Sequence, residues 1–294
     1  MVPSLAATRR LFAIVPLALA ALLPVTVLSQ QKPREPLTVM SFNIRYGTAR
    51  DGENAWPARQ TMVFDVIRDQ DADVIGLQEA LDFQIDEILG AVPAYASLGV
   101  GRDDAGARGE LSAILFRKNR LRIAEAGTFW FSDTPAVPGS KSWGNNITRI
   151  CTWARFIDRD GRAFFVYNVH LDHESQPSRE RSTRLLRERV DARSFRADPV
   201  IITGDFNVGE RNPALATLIG PFVDTFRVIR PEEKTVGTFT AFRSGNVDGE
   251  KIDYVLAQPR TEVLFADIVR FSRGGRYPSD HFPVVARLRL TEPE

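Results

Sequence analysis

The chain reads as an α/β protein of the α+β kind, two β-sheets packed face to face with helices outside. Three observations predict this. Hydrophobic periodicity switches repeatedly between strand-like and helix-like stretches. Both halves of the chain alternate the two kinds, and no repeat, low-complexity tract or long polar linker divides residues 37–290. With 294 residues, 44% hydrophobic and 26% charged, the chain has ordinary globular composition and length enough for one sizeable core.

The elements follow in order. Leu37 to Ile44 reads as a strand, and Pro57 to Gln70 as a helix, with Pro57 suited to its first turn and Val63, Val66 and Ile67 on one face. Asp73 to Gln78 is a short apolar strand, followed by a helix from Leu81 to Leu89. Ser112 to Phe116, Ile150 to Ile157 and Ala163 to Leu171 are further strands, joined by turns such as Asp158-Arg159-Asp160-Gly161. Ser178 to Ala197 is an Arg-rich helix that buries Leu186 and Val190. Pro199 to Thr203, Lys251 to Ala257, Val263 to Phe271 and Phe282 to Leu290 complete a strand-rich second half.

Residues 1–29 have the shape of an export signal: Arg9 and Arg10 precede an apolar run from Leu11 to Leu28 broken only by Thr26, and small Val27 and Ser29 suit cleavage after Ser29. Thr8-Arg9-Arg10-Leu11-Phe12 also fits the start of a twin-arginine signal. Residues 30–36 then form a short linker. Left uncleaved, the run is just long enough to anchor the chain in a membrane; once removed it leaves no expected span. The expected location is therefore periplasmic or secreted. Cys151 is the only cysteine, so no internal disulfide forms, and its strand-like setting makes it a small buried hydrophobe.

Formal net charge is +1 for the whole chain and −1 without residues 1–29. A non-specific nucleic-acid binder needs a basic surface to neutralise phosphates. None is evident, so nucleic acid is not the favoured partner. The arginines of residues 181–196 are interspersed with Glu180, Glu188 and Asp191, as on a solvated, salt-bridged helix face.

Acidic, amide and histidine residues recur at the ends of the apolar strands: Asn43, Glu79, His170 with Asp172, Asp205 with Asn207, Asp253, and Asp280 with His281. Polar groups at strand ends can converge on one rim. Any one of them alone is more simply a turn or cap residue. Together, in this order, they carry a specific pattern: Ser41-Phe42-Asn43-Ile44, Gly76-Leu77-Gln78-Glu79, Asn168-Val169-His170-Leu171-Asp172-His173, Gly204-Asp205-Phe206-Asn207, Ile252-Asp253-Tyr254 and Ser279-Asp280-His281-Phe282-Pro283.

On these six motifs the chain resembles the endonuclease/exonuclease/phosphatase (DNase I-like) family over nearly its whole length after residue 36. Asn54-Ala55-Trp56-Pro57-Ala58-Arg59, Gly101-Arg102-Asp103-Asp104 with Gly109-Glu110, and Arg149-Ile150-Cys151-Thr152-Trp153 add a likeness to an exported bacterial branch. The resemblance implies a four-layered sandwich of two mixed sheets flanked by helices, and metal-dependent hydrolysis of phosphomonoesters or phosphodiesters on a small-molecule or lipid-linked substrate; the alternatives are an extracellular nuclease acting on DNA or RNA and, less favoured, a non-catalytic binding module on the same scaffold. Hard oxygen ligands such as Glu79 and the Asn43 amide suit Mg²⁺ or Mn²⁺, whereas three histidines and one cysteine without zinc-motif spacing do not suit zinc. By resemblance Asp280 is a further metal contact, Asp205 handles the attacking water, and Asn207 and His170 donate to the phosphate. His281 stabilises charge or transfers a proton, oriented by Asp253. Arg149 and Asp172 are candidates for substrate binding, and Trp143, in a Gly/Pro/Ser-rich loop, for an aromatic substrate contact. The expected protein is a monomer.

Overall fold

The computed structural model describes Met1 and residues 35–290 except 244, 246 and 260. The export signal expected over residues 1–29 lies outside the described residues, Met1 apart. Among them no helix is long and apolar enough to cross a membrane.

In chain order the strands are β1 (Leu37–Asn43), β2 (Val74–Gln78), β3 (Tyr95–Leu98), β4 (Ile114–Arg117), β5 (Leu121–Trp130), β6 (Ile150–Asp158), β7 (Ala163–His170), β8 (Val200–Asp205), β9 (Val223–Asp224), β10 (Asp253–Ala257), β11 (Thr261–Ile268) and β12 (Val284–Leu290). The helices are α1 (Trp56–Gln70), α2 (Asp82–Ala91), α3 (Gln176–Asp191), α4 (Pro213–Ala216) and α5 (Thr225–Ile229). Two six-stranded sheets result, ordered β11-β12-β1-β2-β4-β3 and β5-β6-β7-β8-β10-β9. Each is mixed: one parallel pair, β1 with β2 or β7 with β8, lies among antiparallel neighbours. This is the arrangement of two mixed sheets that the resemblance implied.

Central strands β1, β2, β7 and β8 are mostly apolar and buried almost throughout because both of their faces are covered. Val39, Val74 and Ile114 of the first sheet pack against Phe156, Val166 and Ile201 of the second. On the first sheet's outer face, Met40, Phe42 and Leu77 meet Val63 and Ile67 of α1 and Ile85 and Ile88 of α2. On the second sheet's, Phe165, Tyr167 and Ile202 meet Leu186 and Val190 of α3. Four layers follow from three apolar seams.

One buried amide interrupts the seam between the sheets. Asn168 Nδ2 donates to the carbonyls of Leu77 (2.8 Å) and Ala113 (2.9 Å), while its Oδ1 accepts from Gln78 Nε2 (2.7 Å) and Thr203 Oγ1 (3.0 Å). Every hydrogen-bonding position of that side chain is used, which is the condition for burying it. The sheets approach so closely here that a Cβ on Gly76 would lie 2.1 Å from Thr203 Oγ1.

The helix expected over 178–197 instead starts at Gln176 and stops at Asp191. Ser175 Oγ caps its start by accepting from Ser178 N at 3.2 Å. At its end Arg193 Nη1 takes the Val190 carbonyl at 2.7 Å, and Phe195 is left-handed at φ 51, so the chain turns away before Pro199. On its exposed face Arg184 pairs with Glu180 and Arg187 with Asp191. Strands β3 and β5 were not anticipated. The first is only four residues long, and the second is an edge strand, largely open to solvent, whose apolar residues do not form a run.

Candidate active site

The second sheet presents its site residues through strand register. His170 ends β7 and Asp205 ends β8, paired directly in the parallel ladder. Asp253 begins β10 and lies opposite Asp205 in the antiparallel ladder. Paired residues project from the same face, so three adjacent strands set these side chains in one row. Just beyond β8, Asn207 is left-handed at φ 52, its N–H donating to Asp205 Oδ1 (2.9 Å) and its Nδ2 to the Leu171 carbonyl (3.0 Å).

Apart from Asn43, which ends β1, the first sheet delivers its residues past the ends of strands. Glu79 follows β2 at φ 59 and Arg45 follows β1 at φ 56, both strained for a side chain with a Cβ. Asp280 and His281 lie in the loop before β12. Arg59 of α1, 1% exposed, holds these pieces together. Its guanidinium donates to the carbonyls of Ile44 (2.6 Å), Arg45 (2.8 Å), Asn54 (2.9 Å) and Pro278 (2.9 Å). Ser279 Oγ adds a 2.7 Å bond to the Asn43 carbonyl.

The two contributions meet at Asp205. Its Oδ2 lies 3.0 Å from Asn43 Nδ2, 3.6 Å from His170 Nε2 and 3.7 Å from His281 Nε2. His281 Nδ1 is 2.9 Å from Asp253 Oδ2. Asn43 Nδ2 also donates to Glu79 Oε1 at 3.1 Å, while its Oδ1 accepts from Arg45 N at 3.0 Å. In that orientation Asn43 is a donor to the carboxylates, and ligation through its oxygen requires the amide to turn about its last torsion.

Burial, and then the neighbouring Asp253 charge, pushes Asp205 up to about 7. Burial raises Asp280 as well. For His281 burial acts downward, but Asp253 and Asp205 outweigh it and raise the imidazole well above its usual range. His170 moves the other way: burial, reinforced by the Arg149 and Arg102 cations, holds it well below. One imidazole is therefore a cationic donor and the other neutral.

Asp205, Asp253 and His281 offer ligand atoms within 4.8 Å of one another and could hold a metal ion. Asp253 Oδ1 is buried without a hydrogen-bond partner, an orphaned carboxylate oxygen of the kind a cation satisfies. Glu79 and Asp280 form a second acidic position, where the Arg45 guanidinium lies 3.8 Å from each. Hard carboxylate oxygens at both positions fit a Mg²⁺- or Mn²⁺-class ion.

These groups open onto a cavity of about 530 Å³. Glu79, Arg149, His170, Asp205, Asn207, Asp280 and His281 line it, with Asn43 and Asp253 buried behind. Two expected contacts do not reach it. Asp172 is buried, its Oδ1 accepting from Glu174 N (3.0 Å) and Ser175 N (2.6 Å) and its Oδ2 facing Arg149 Nε at 3.7 Å, so it braces the loop into α3 and the arginine behind the cavity wall. Trp143 is tied down by Asp133 Oδ1 at 2.8 Å and packs beside the outer core of the second sheet. Conversely, Arg45 and Phe239 line the cavity without having been singled out. Arg45 lay legible two residues after Asn43; Phe239 has no local signal.

A family model described as the endonuclease/exonuclease/phosphatase family matches residues 40–281. An endonuclease/exonuclease/phosphatase family protein of Bacteroides thetaiotaomicron is similar at TM-score 0.81 and 32% identity, over 88% of this chain and 100% of its own. The mannosyl-6-phosphatase of the same organism is similar at TM-score 0.79 and 33% identity, over 86% of this chain and 100% of that one. A protein of Acanthamoeba polyphaga mimivirus is 27% identical over 185 residues, 60% of this chain and 68% of that protein.

Proposed function

The chain belongs to the endonuclease/exonuclease/phosphatase family, and from that premise we propose that it is a divalent-metal-dependent hydrolase of phosphoester bonds on a small or lipid-linked substrate. The observation that carries this reading is the meeting of Asn43, Glu79, Asp205, Asp253, Asp280 and His281, drawn from both sheets, at one cavity. The cavity's size, within the ~300–1,000 Å³ of small-molecule sites, and the near-neutral charge favour a small substrate over a nucleic acid. The relative named a mannosyl-6-phosphatase supports a phosphorylated small molecule too.

Asn43, Glu79 and Asp280 would hold the Mg²⁺ or Mn²⁺, leaving the Asp205–Asp253–His281 cluster to proton and charge handling. A bound cation supplies polarisation of the phosphoryl oxygen and offsets charge in the pentacoordinate transition state. Asp205, whose affinity for a proton is poised near neutrality, takes the proton of the attacking water. Asn207 and neutral His170 donate to the phosphate oxygens, and Arg45 and Arg149 neutralise their charge. His281, kept protonated by Asp253, stabilises the charge that develops on the phosphoryl group. The enzyme acts as a monomer outside the cytoplasm, exported on residues 1–29.

The test is a phosphomonoester and phosphodiester panel on purified protein before and after chelation. Activity lost in EDTA and restored by Mg²⁺ or Mn²⁺ is expected. Full turnover in excess chelator removes the metal role, and no turnover of any phosphoester in reconstituted protein removes the reading.

A further inference from the structure

The loop from Gly101 to Glu110 has no part in the reaction just described, yet it forms one wall of the same cavity. Backbone bonds from Gly101 N to Gly106 O (2.6 Å), Arg102 N to Glu110 O (3.1 Å) and Asp103 N to Arg108 O (3.1 Å) close it on itself. Trp130 Nε1 fixes its base by donating to the Arg102 carbonyl at 2.6 Å. Arg102 and Glu110 are thereby brought side by side, in a two-pronged ion pair of 2.7 and 2.8 Å. Both side chains are largely withdrawn from solvent, at 15% and 16% exposure, and both line the cavity. Glu110 Oε2 lies 4.0 Å from His170 Nδ1, and the other nitrogen of that imidazole is 3.6 Å from Asp205. The pair therefore stands one imidazole away from the carboxylate assigned to the water.

A loop already closed by its backbone does not need a desolvated ion pair, which is a weak source of stability. What the pair offers is chemistry. It is neutral as a unit, and beyond the two mutual bonds its guanidinium and carboxylate, both lining the cavity, keep donor and acceptor capacity to spare. An anion meets Glu110, a cation meets Arg102, and an alkyl chain leaves both desolvated without compensation. A group that donates and accepts at once matches both. Hydroxyls do so, and neighbouring hydroxyls do so twice. Phe239, which lines the same cavity and is 43% exposed, gives a flat apolar face beside His281, with ring centres 5.0 Å apart.

We propose that Arg102 and Glu110 form the leaving-group subsite and that the alcohol released is a polyol, a sugar or cyclitol whose hydroxyls bridge the pair while one C–H face rests on Phe239. This inference rests on the phosphoester reading and narrows it. Hydrolysis then adds water across the P–O bond and returns inorganic phosphate or a phosphomonoester together with the free polyol.

The experiment uses metal-reconstituted protein and compares kcat/KM for hexose and inositol monophosphates with that for n-hexyl phosphate and phenyl phosphate. A site built to bond hydroxyls should favour its best polyol phosphate by about 10³-fold. Glu110→Gln and Arg102→Met should each bring that ratio within about tenfold of one. The exchanged variant, Arg102→Glu with Glu110→Arg, restores an ion pair to the loop and separates roles. The ratio stays collapsed if the pair reads hydroxyls, whereas recovery of the wild-type ratio shows a brace only and overturns the subsite. A wild-type ratio near one overturns it as well. Silence toward every ester fails the phosphoester reading beneath it, and is distinguishable because the alkyl and aryl esters are then not cleaved either.

Discussion

The two sheets build their shares of the site in different ways. In the second, His170, Asp205 and Asp253 are ordinary strand residues, and the same ladder bonds that make the sheet align them. In the first, Arg45, Glu79, Asp280 and His281 lie past strand ends, two of them on left-handed backbone, and depend on Arg59 to hold three chain segments in place. Alignment by register costs nothing beyond folding the sheet. Alignment by loops has to be imposed from outside, and one buried guanidinium imposes much of it.

This contrast can be broken at graded strength. The strongest perturbation strikes where the two shares meet: His281→Ala or Asp205→Asn should lower turnover by about 10³-fold or more with the circular dichroism spectrum unchanged. Wild-type rates in both variants would show that the meeting point is not the reacting centre. Next comes the brace. Arg59→Ala should lower kcat by about 10²-fold, since displacements near 1 Å at a reacting centre have that effect, and Arg59→Lys should recover little because one ammonium cannot span four carbonyls. Crystallography of the alanine variant should find the Asp280 loop displaced and the His170–Asp205–Asp253 row intact; movement of the row instead would refute the division between the sheets.

A weaker effect tests the dyad inside that row. Removing the negative charge in Asp253→Asn leaves burial as the main influence on His281 and lowers its proton affinity, by about tenfold or more. An NMR pH titration of the metal-free protein should therefore find the variant imidazole titrating below the wild-type one, and an equal or higher midpoint would contradict the pairing. Smallest of all is Trp143→Ala, which should change kcat/KM by less than about threefold, as a surface substitution away from the cavity does. A tenfold loss would return Trp143 to the substrate.

The same contrast separates what could be read from the sequence. Strands β1, β2, β7, β8 and β10 show as apolar runs because they are buried on both faces, and the polar residues at their ends stand out against those runs, while β6 and β12 show by alternation with one face more open. That is why Glu79, Asp205 and His281 were legible. Arg59 and the Arg102–Glu110 pair belonged to noticed motifs, but their partners lie far along the chain or across a loop closure, and short-range spacing does not encode a carbonyl 219 residues away at Pro278. Trp143 falls outside the cavity lining for a related reason: an aromatic in a polar loop looks available for ligand until Asp133, ten residues before it, is seen to hold its indole.

Asn168 touches no substrate, yet the pocket's geometry depends on it. Hydrophobic burial is non-directional, so apolar contacts specify the register between two sheets less sharply than hydrogen bonds of fixed geometry do. Three directional bonds from one side chain cross to the first sheet, at Leu77, Ala113 and Gln78, and a fourth anchors it to Thr203 of its own sheet, so the register between the sheets is pinned at this point. A fault at this position would surface as a misaligned mouth before it surfaced as an unfolded chain.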